Sequence, residues 1–156
     1  MPDRRFAQLL NRHVAVVASY ARAMAPDPWT AEDAVQETLL RAWKYRDTFL
    51  ASGSFEGWLI RICRNCLVHV AARGPVELRS ELPELPDAGD SHVELYDLLH
   101  RLPIHQREVL VLCGMLGYDY AGAAELLGLP IGTIASRVHR ARKALAEQLE
   151  DPGKEA

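Results

Sequence analysis

Cysteine, aromatic residues and long apolar runs are all scarce in this chain. Three cysteines in 156 residues point to reduced thiols rather than a disulfide framework. No apolar stretch approaches the ~20 residues a membrane-spanning helix needs. The opening Met1-Pro2-Asp3-Arg4-Arg5-Phe6 leads into no apolar segment with a small-residue cleavage site, so no signal peptide is expected and a cytoplasmic location is. Strand patterning is also missing, since no segment alternates apolar and polar residues over a useful length. Nor is there a phosphate-binding glycine loop, a nucleophile elbow or a metal-ligand set of useful spacing, and an enzyme is not expected.

What is present is charge, unevenly spread. The net charge of −3 looks wrong for a nucleic-acid binder, but it conceals two mildly basic blocks. Residues 1–73 carry ten Lys/Arg against seven Asp/Glu, and residues 100–149 carry six against four. Between them, residues 74–99 hold one arginine and seven acids. Because salt screens charge within ~10 Å, a ligand responds to the local block and not to the whole-chain sum.

Apolar residues recur at helical spacing throughout. Phe6, Leu9, Leu10, Val14, Val17 and Tyr20 share one face of a first helix, which Pro26 and Pro28 break. Thr30 is expected to cap a second helix over about 31–46, with Asp33 in its acidic first turn. Ala34, Val35, Thr38, Leu39, Ala42 and Trp43 form its apolar stripe, and Glu32, Asp33, Gln36, Glu37 and Arg41 its other face. Ser54 caps a third helix running to about Ala72, whose stripe is Phe55, Trp58, Leu59, Ile62, Cys66 and Val70. Trp43 and Trp58 are assigned to the core. Residues 75–91, with three prolines and mostly acids, look like a tether. Helices then resume over His92–Arg101 and Pro103–Met115, the latter with Val109, Leu110 and Leu112 on its apolar side. The expected fold class is all-α, as two small helical domains at about 1–73 and 92–150, with a tail at 151–156.

Cys63-x-x-Cys66 with His69 invites a redox or zinc reading, with Cys113 as a distant fourth ligand. Residues three apart on one helix do not wrap tetrahedrally around a metal, so the thiols are assigned to the core or its edge and no metal or other cofactor is expected.

The segment from Tyr118 to Lys143 reads as a short helix, a glycine turn at Gly128 and a second helix that starts polar and turns basic. That is the pattern of a helix-turn-helix, whose second helix lies in the DNA major groove. Ile134, Val138, Ala141 and Leu145 would be buried, with Ser136, His139, Arg140 and Lys143 opposite and Arg137 on the flank.

Two separated motifs extend this reading. Ala31-Glu32-Asp33-Ala34-Val35-Gln36-Glu37-Thr38-Leu39-Leu40-Arg41-Ala42-Trp43 and Ser54-Phe55-Glu56-Gly57-Trp58-Leu59-Ile60-Arg61-Ile62-Cys63-Arg64-Asn65 resemble conserved region 2 of bacterial sigma factors. Leu102-Pro103, Arg107–Leu110, Gly128–Ile134 and Ser136-Arg137 resemble region 4. A chain with these two regions and a short linker is similar to the extracytoplasmic-function (group IV) sigma factors, and the resemblance covers nearly all of it. It implies that region 2 grips the β′ coiled coil of RNA polymerase through Glu32, Asp33, Gln36 and Glu37. It implies that the same region opens the −10 promoter element with Arg46, Asp47 and Phe49 in the loop Tyr45–Ser54 and with Arg61, Arg64 and Asn65 on the next helix. Region 4 would sit on the flap of the β subunit and read the −35 element with Thr133, Ser136, Arg137, Arg140 and Lys143. An anti-sigma factor is a further implied partner.

The sequence departs from the family pattern at Ala135, where a basic or polar residue is common, and at His69, where an acid is common. The linker acids Glu77, Glu81, Glu84, Asp87 and Asp90 suit either a DNA mimic in the polymerase channel or a solubilising tether. Two other functions stay open: a sigma mimic that binds only anti-sigma factors, and an ordinary dimeric helix-turn-helix regulator. The composition break at 74–91 generates a test. In the isolated chain, limited proteolysis should cut first between Pro75 and Ser91; first cuts inside 31–46 would contradict two separately folded domains.

Overall fold

The computed structural model describes residues 3–49, 53–72 and 93–150. The tether at 75–91, Arg73 and the tail at 151–156 lie outside them. The chain divides into an N-terminal and a C-terminal compact unit. All regular structure among the described residues is helical, and no described helix is long and apolar enough to cross a membrane.

The N-terminal unit packs three helices: α1 (Asp3–Met24), α2 (Pro28–Lys44) and α3 (Phe55–Ala72), each touching the other two. The cap of α2 differs from expectation. Asp27, not Thr30, is the N-cap, with Pro28 at the first helical position, where a missing N–H costs nothing. The Asp27 carboxylate accepts from the Thr30 backbone N–H at 2.7 Å and from the Thr30 hydroxyl at 2.9 Å. Thr30 is therefore the cap's donor, and the helix opens three residues before the predicted start and ends two residues early, at Lys44. Ser54 does cap α3, accepting from the Gly57 N–H at 3.0 Å.

Packing follows the predicted stripes in part: Leu9, Leu10, Val14, Leu39, Trp58 and Ile62 are only half-buried. Phe6, Val17, Tyr20, Ala34, Val35, Thr38, Ala42, Phe55, Leu59, Cys66 and Val70 are buried, as are Ile60 and Cys63, which the stripe omitted. Trp43 is not a core residue: it is 39% exposed. Its ring meets Phe6 at 5.9 Å and the Arg46 guanidinium at 4.5 Å. Trp58 is half-buried within an aromatic cluster with Phe6, Phe49 and Phe55. Thr38, a buried polar residue of α2 like Thr30, donates its hydroxyl proton to the Ala34 carbonyl at 2.6 Å, so its burial leaves no unmet donor.

The C-terminal unit holds α4 (Val93–His100), α5 (Ile104–Leu110), α6 (Tyr120–Leu127) and α7 (Ile131–Glu150). The predicted helix to Met115 is α-helical only to Leu110. Val111–Met115 forms a π-helical turn, closed by Leu116 N–H to Val111 O at 3.0 Å. That wider turn brings Val111 into the core beside Val109 and Leu112, whereas Leu110 is half-buried. Arg107 ties α4 to α5 by donating to the His100 carbonyl at 3.4 Å and to the Leu102 carbonyl in the connection at 3.2 Å, and its burial lowers its pKa.

The cysteines divide by environment. Cys63 and Cys66 are fully buried and Cys113 is half-buried, all as free thiols. His69 is exposed. Burial pushes the Cys63 thiol up to about 12, with the Thr38 contact lowering it and Cys66 raising it further. The folded state thus holds that proton more tightly than the unfolded chain. The associated stability is present below the ordinary thiol pKa of about 8.5 and is lost as pH rises toward about 12. Because the thiolate is the reactive species, a thiol reagent at neutral pH should label Cys113 first and leave Cys63 and Cys66 unmodified until the protein unfolds. Mass mapping of labelled peptides reads this directly, and early labelling of Cys63 would contradict its burial.

Candidate nucleic-acid interface

The C-terminal unit builds a helix-turn-helix from two glycines and one aspartate. Asp119 caps α6, its Oδ1 accepting from the Gly122 N–H at 2.6 Å. A Cβ at residue 122 would stand 2.9 Å from that same oxygen, so a side chain there would displace the cap. Gly128 ends α6 at φ +68°, in the left-handed region that glycine enters without penalty. Leu129 N–H then closes on Ala124 O at 3.0 Å, a Schellman-type stop. Pro130 opens α7, its carbonyl accepting from Thr133 and Ile134 at 3.0 and 3.2 Å.

Ile134, Val138 and Ala141 on α7 are fully buried, and Leu145 is half-buried. The helical period therefore turns Ser136, His139, Arg140 and Lys143 to solvent, with Thr133 and Arg137 half-buried on the flanks. The Ser136 hydroxyl donates to the Thr133 carbonyl at 3.3 Å. Arg142 is also exposed and was absent from the predicted set. Its signal was legible: in Arg140-Ala141-Arg142-Lys143 the alanine holds the core position, so the cations on either side of it fall outside. No acid occurs between Glu125 and Glu147, so the first four turns of α7 carry only cations, and Glu147 follows Lys143 one turn later on the same face.

In the N-terminal unit, α2 presents a mixed surface. Gln36 Nε2 donates to Glu32 at 3.2 Å, and Glu37 pairs with Arg41 at 3.2 Å, both side chains 30% exposed. Asp33 is half-buried. Glu37, Leu40, Arg41, Lys44 and Tyr45 line an open groove of about 400 Å³. Leu40 is 68% exposed and Tyr45 48%, with the Lys44 ammonium 5.2 Å from the Tyr45 ring. Periodicity alone does not single out Leu40, because in the pair Leu39-Leu40 the apolar stripe takes Leu39. Three residues after Glu37, Leu40 shares the acids' face, where burial against a partner would favour it.

After α2 the chain makes a short 3₁₀ turn, Arg46–Thr48. Arg46 faces the protein: it pairs with Asp3 at 3.0 Å, donates to the Trp43 carbonyl at 2.7 Å and covers the Trp43 ring. Phe49 packs on Phe55 at 5.2 Å and on Trp58 at 5.4 Å. Arg46 and Phe49, which the resemblance implies for opening the −10 element, thus both contact neighbouring side chains of this unit, while Asp47 is exposed. On α3, Arg61 and Asn65 are exposed and Arg64 is half-buried, and Val68 and His69 extend that exposed face.

Comparison with known proteins agrees with this layout. The sigma-70 region 2 family matches residues 9–73 and the sigma-70 region 4 family matches residues 92–145. The chain is 40% identical over 139 residues to a probable RNA polymerase sigma-C factor of Mycobacterium bovis, covering 82% of this chain and 75% of that protein. It is 34% identical to the ECF RNA polymerase sigma factor EcfG of Rhodopseudomonas palustris, over 91% and 83% of the two chains. Among solved structures, the sigma factor RpoE of Bartonella quintana, crystallised in complex with the anti-sigma factor NepR, superposes with a TM-score of 0.79 at 30% identity, covering 94% of this chain and 98% of that one.

Proposed function

Because the chain belongs to the sigma-70 family, as an extracytoplasmic-function RNA polymerase sigma factor that directs transcription initiation, we propose a division of labour between its two units. The C-terminal unit reads the −35 element with α7. The observation that carries this is the α7 surface, with Ile134, Val138 and Ala141 fully buried on one side, Ser136, Arg140 and Lys143 exposed on the other, and Arg142 exposed at its edge. Arginine and lysine on such a face reach phosphates, and an arginine pairs bidentately with guanine. Thr133 and Arg137 flank the contact.

The N-terminal unit docks on the β′ coiled coil through Glu32, Asp33, Gln36 and Glu37. Charge complementarity of that kind sets register and speeds association, and Leu40 beside the groove adds an apolar anchor. Arg61, Arg64, Asn65 and Asp47 face the −10 strand, with Arg46 and Phe49 holding the turn in place. The protein is a non-enzymatic, cytoplasmic subunit of the polymerase, and an anti-sigma factor of the kind bound to the Bartonella relative restrains it. The exposed α7 cations favour this reading over a mimic that needs no DNA.

Run-off transcription with core polymerase on fragmented genomic DNA from the source organism tests the function. Specific transcripts sharing two upstream elements are expected. Tight binding to core polymerase without such transcripts would point to the mimic, and specific DNA binding as a dimer without polymerase to an ordinary regulator. On a promoter so identified, Arg140→Ala should weaken holoenzyme binding and lower the slope of log affinity against log salt by about 1, as for one lost phosphate contact. Substitutions at Ser136 or Arg137 should instead change which −35 sequences are preferred. Equal, sequence-blind losses from all three would mean that none of them reads bases.

A further inference from the structure

We propose that His139 is a specificity-determining residue of α7, its imidazole N–H donating to the N7 acceptor of a guanine in the −35 element. This rests on the function proposed above and adds a contact to a base edge beside the cations that reach phosphates.

The helical period places Gly132, Ser136, His139 and Lys143 in one row, at spacings of four, three and four residues. All of them are exposed, and the row runs along the side of α7 opposite the fully buried Ile134, Val138 and Ala141. Thr133 and Arg137 are half-buried between that row and the core side. His139 therefore stands nearer the middle of the exposed face than Arg137 does. What precedes it on the face is small. Gly132 has no side chain, and nothing lies within 4 Å of where a Cβ would stand. The short Ser136 side chain is turned to the Thr133 carbonyl at 3.3 Å, and Ala135, one turn before His139, ends in a methyl group. Long side chains on a helix lean toward its N-terminus. The turn holding Ala135 and Ser136 thus leaves the imidazole room. Its ring has no hydrogen-bond partner among the described residues, so its N–H is available to a ligand.

Place and shape together select a base edge. The N-terminal part of a recognition helix meets base edges, whereas phosphate contacts only position the protein. At 1.5 Å rise per residue, His139 stands about 10 Å along the axis from Gly132, and Lys143 about 16 Å. Arg140 and Lys143 have the length and charge for phosphates. The imidazole is a shorter, flat ring whose N–H points in the ring plane, which suits one in-plane acceptor. In the major groove both purines offer such an acceptor at N7. Guanine sets the O6 acceptor beside it, and adenine sets the N6 amino donor there. A donor is attracted by both atoms of the first pair and repelled by one atom of the second, so guanine is preferred.

The test uses holoenzyme on a duplex promoter found by run-off transcription. Each purine of the −35 element is replaced in turn by its 7-deaza analogue, which keeps base pairing and lacks the N7 acceptor. At one guanine the replacement should weaken wild-type binding by about fivefold, the worth of one net hydrogen bond. His139→Ala should bind the unmodified promoter about fivefold more weakly and lose nothing further at that guanine. His139→Gln should move the preference there to adenine, whose N6 and N7 a carboxamide pairs with. The slope of log affinity against log salt should keep its wild-type value in both variants, because no phosphate contact is removed. Affinity for core polymerase and the thermal midpoint should not change; if His139→Ala unfolds, the base preference of His139→Gln decides. A slope lowered by about 1 with no guanine sensitive to the 7-deaza replacement would make His139 a phosphate contact and overturn the proposal. Wild-type affinity and preference in both variants would show a merely solvated ring and overturn it too. Specific wild-type transcription with no guanine coupled to His139 sinks only this inference; absence of specific wild-type transcription sinks it together with the function it rests on.

Discussion

The N-terminal unit depends on one aromatic cluster. Phe6 from α1 meets Trp43 at the end of α2 and Phe55 and Trp58 at the start of α3, at ring separations of 5.6 to 6.3 Å. Phe49 from the intervening turn enters the same cluster, and His13 adds an edge contact to Phe55 at 5.2 Å. Each such pair adds about 0.5–1.5 kcal/mol beyond burial of its area. The cluster therefore sets where α2 stops, where α3 starts and how the turn between them is held, which are the features on which opening of a promoter strand would depend. Arg46 completes it from outside, stacking on Trp43 and reaching Asp3. A surface ion pair alone is worth little, but the carbonyl bond and the ring contact hold this one in a fixed geometry.

Electrostatics separates the whole chain from its parts. A protein with net charge −3 presents a positive face on α7 because folding sorts charge by helix face. On α7, three fully buried apolar residues fix the rotation of the helix, and Arg140, Arg142 and Lys143 are left exposed. On α2 the same sorting exposes acids next to Leu40, giving a surface of opposite character. Two weak DNA contacts on separate units gain affinity when a third body holds them at fixed spacing, which is the physical role a polymerase core plays for such a chain.

The division between what was legible in the sequence and what was not follows the range of the interactions. The helices, the Ser54 cap, the Gly128 stop and the basic face of α7 depend on residues three or four apart, and such patterns are read without knowing any partner. The Asp27 cap escaped because Thr30 is an equally good local cap; only the actual start of the helix, with Pro28 at its first position, shows which residue accepts and which donates. The π-helical turn at Val111–Met115 escaped because one extra residue in a turn leaves no mark in an apolar run, and it is selected by the burial of Val111.

By itself the sequence determined the all-helical class, the two motifs and their order, and which helix faces are acidic or basic, since helix periodicity is a local property. The tertiary structure alone decided that Trp43 is partly exposed, that Arg46 and Phe49 turn inward, and that Asp3 at the start of α1 meets the turn after α2. The physical reason is that these depend on which surfaces meet across 43 residues, as in the Asp3–Arg46 pair, and the energy of such contacts is settled only when the helices pack.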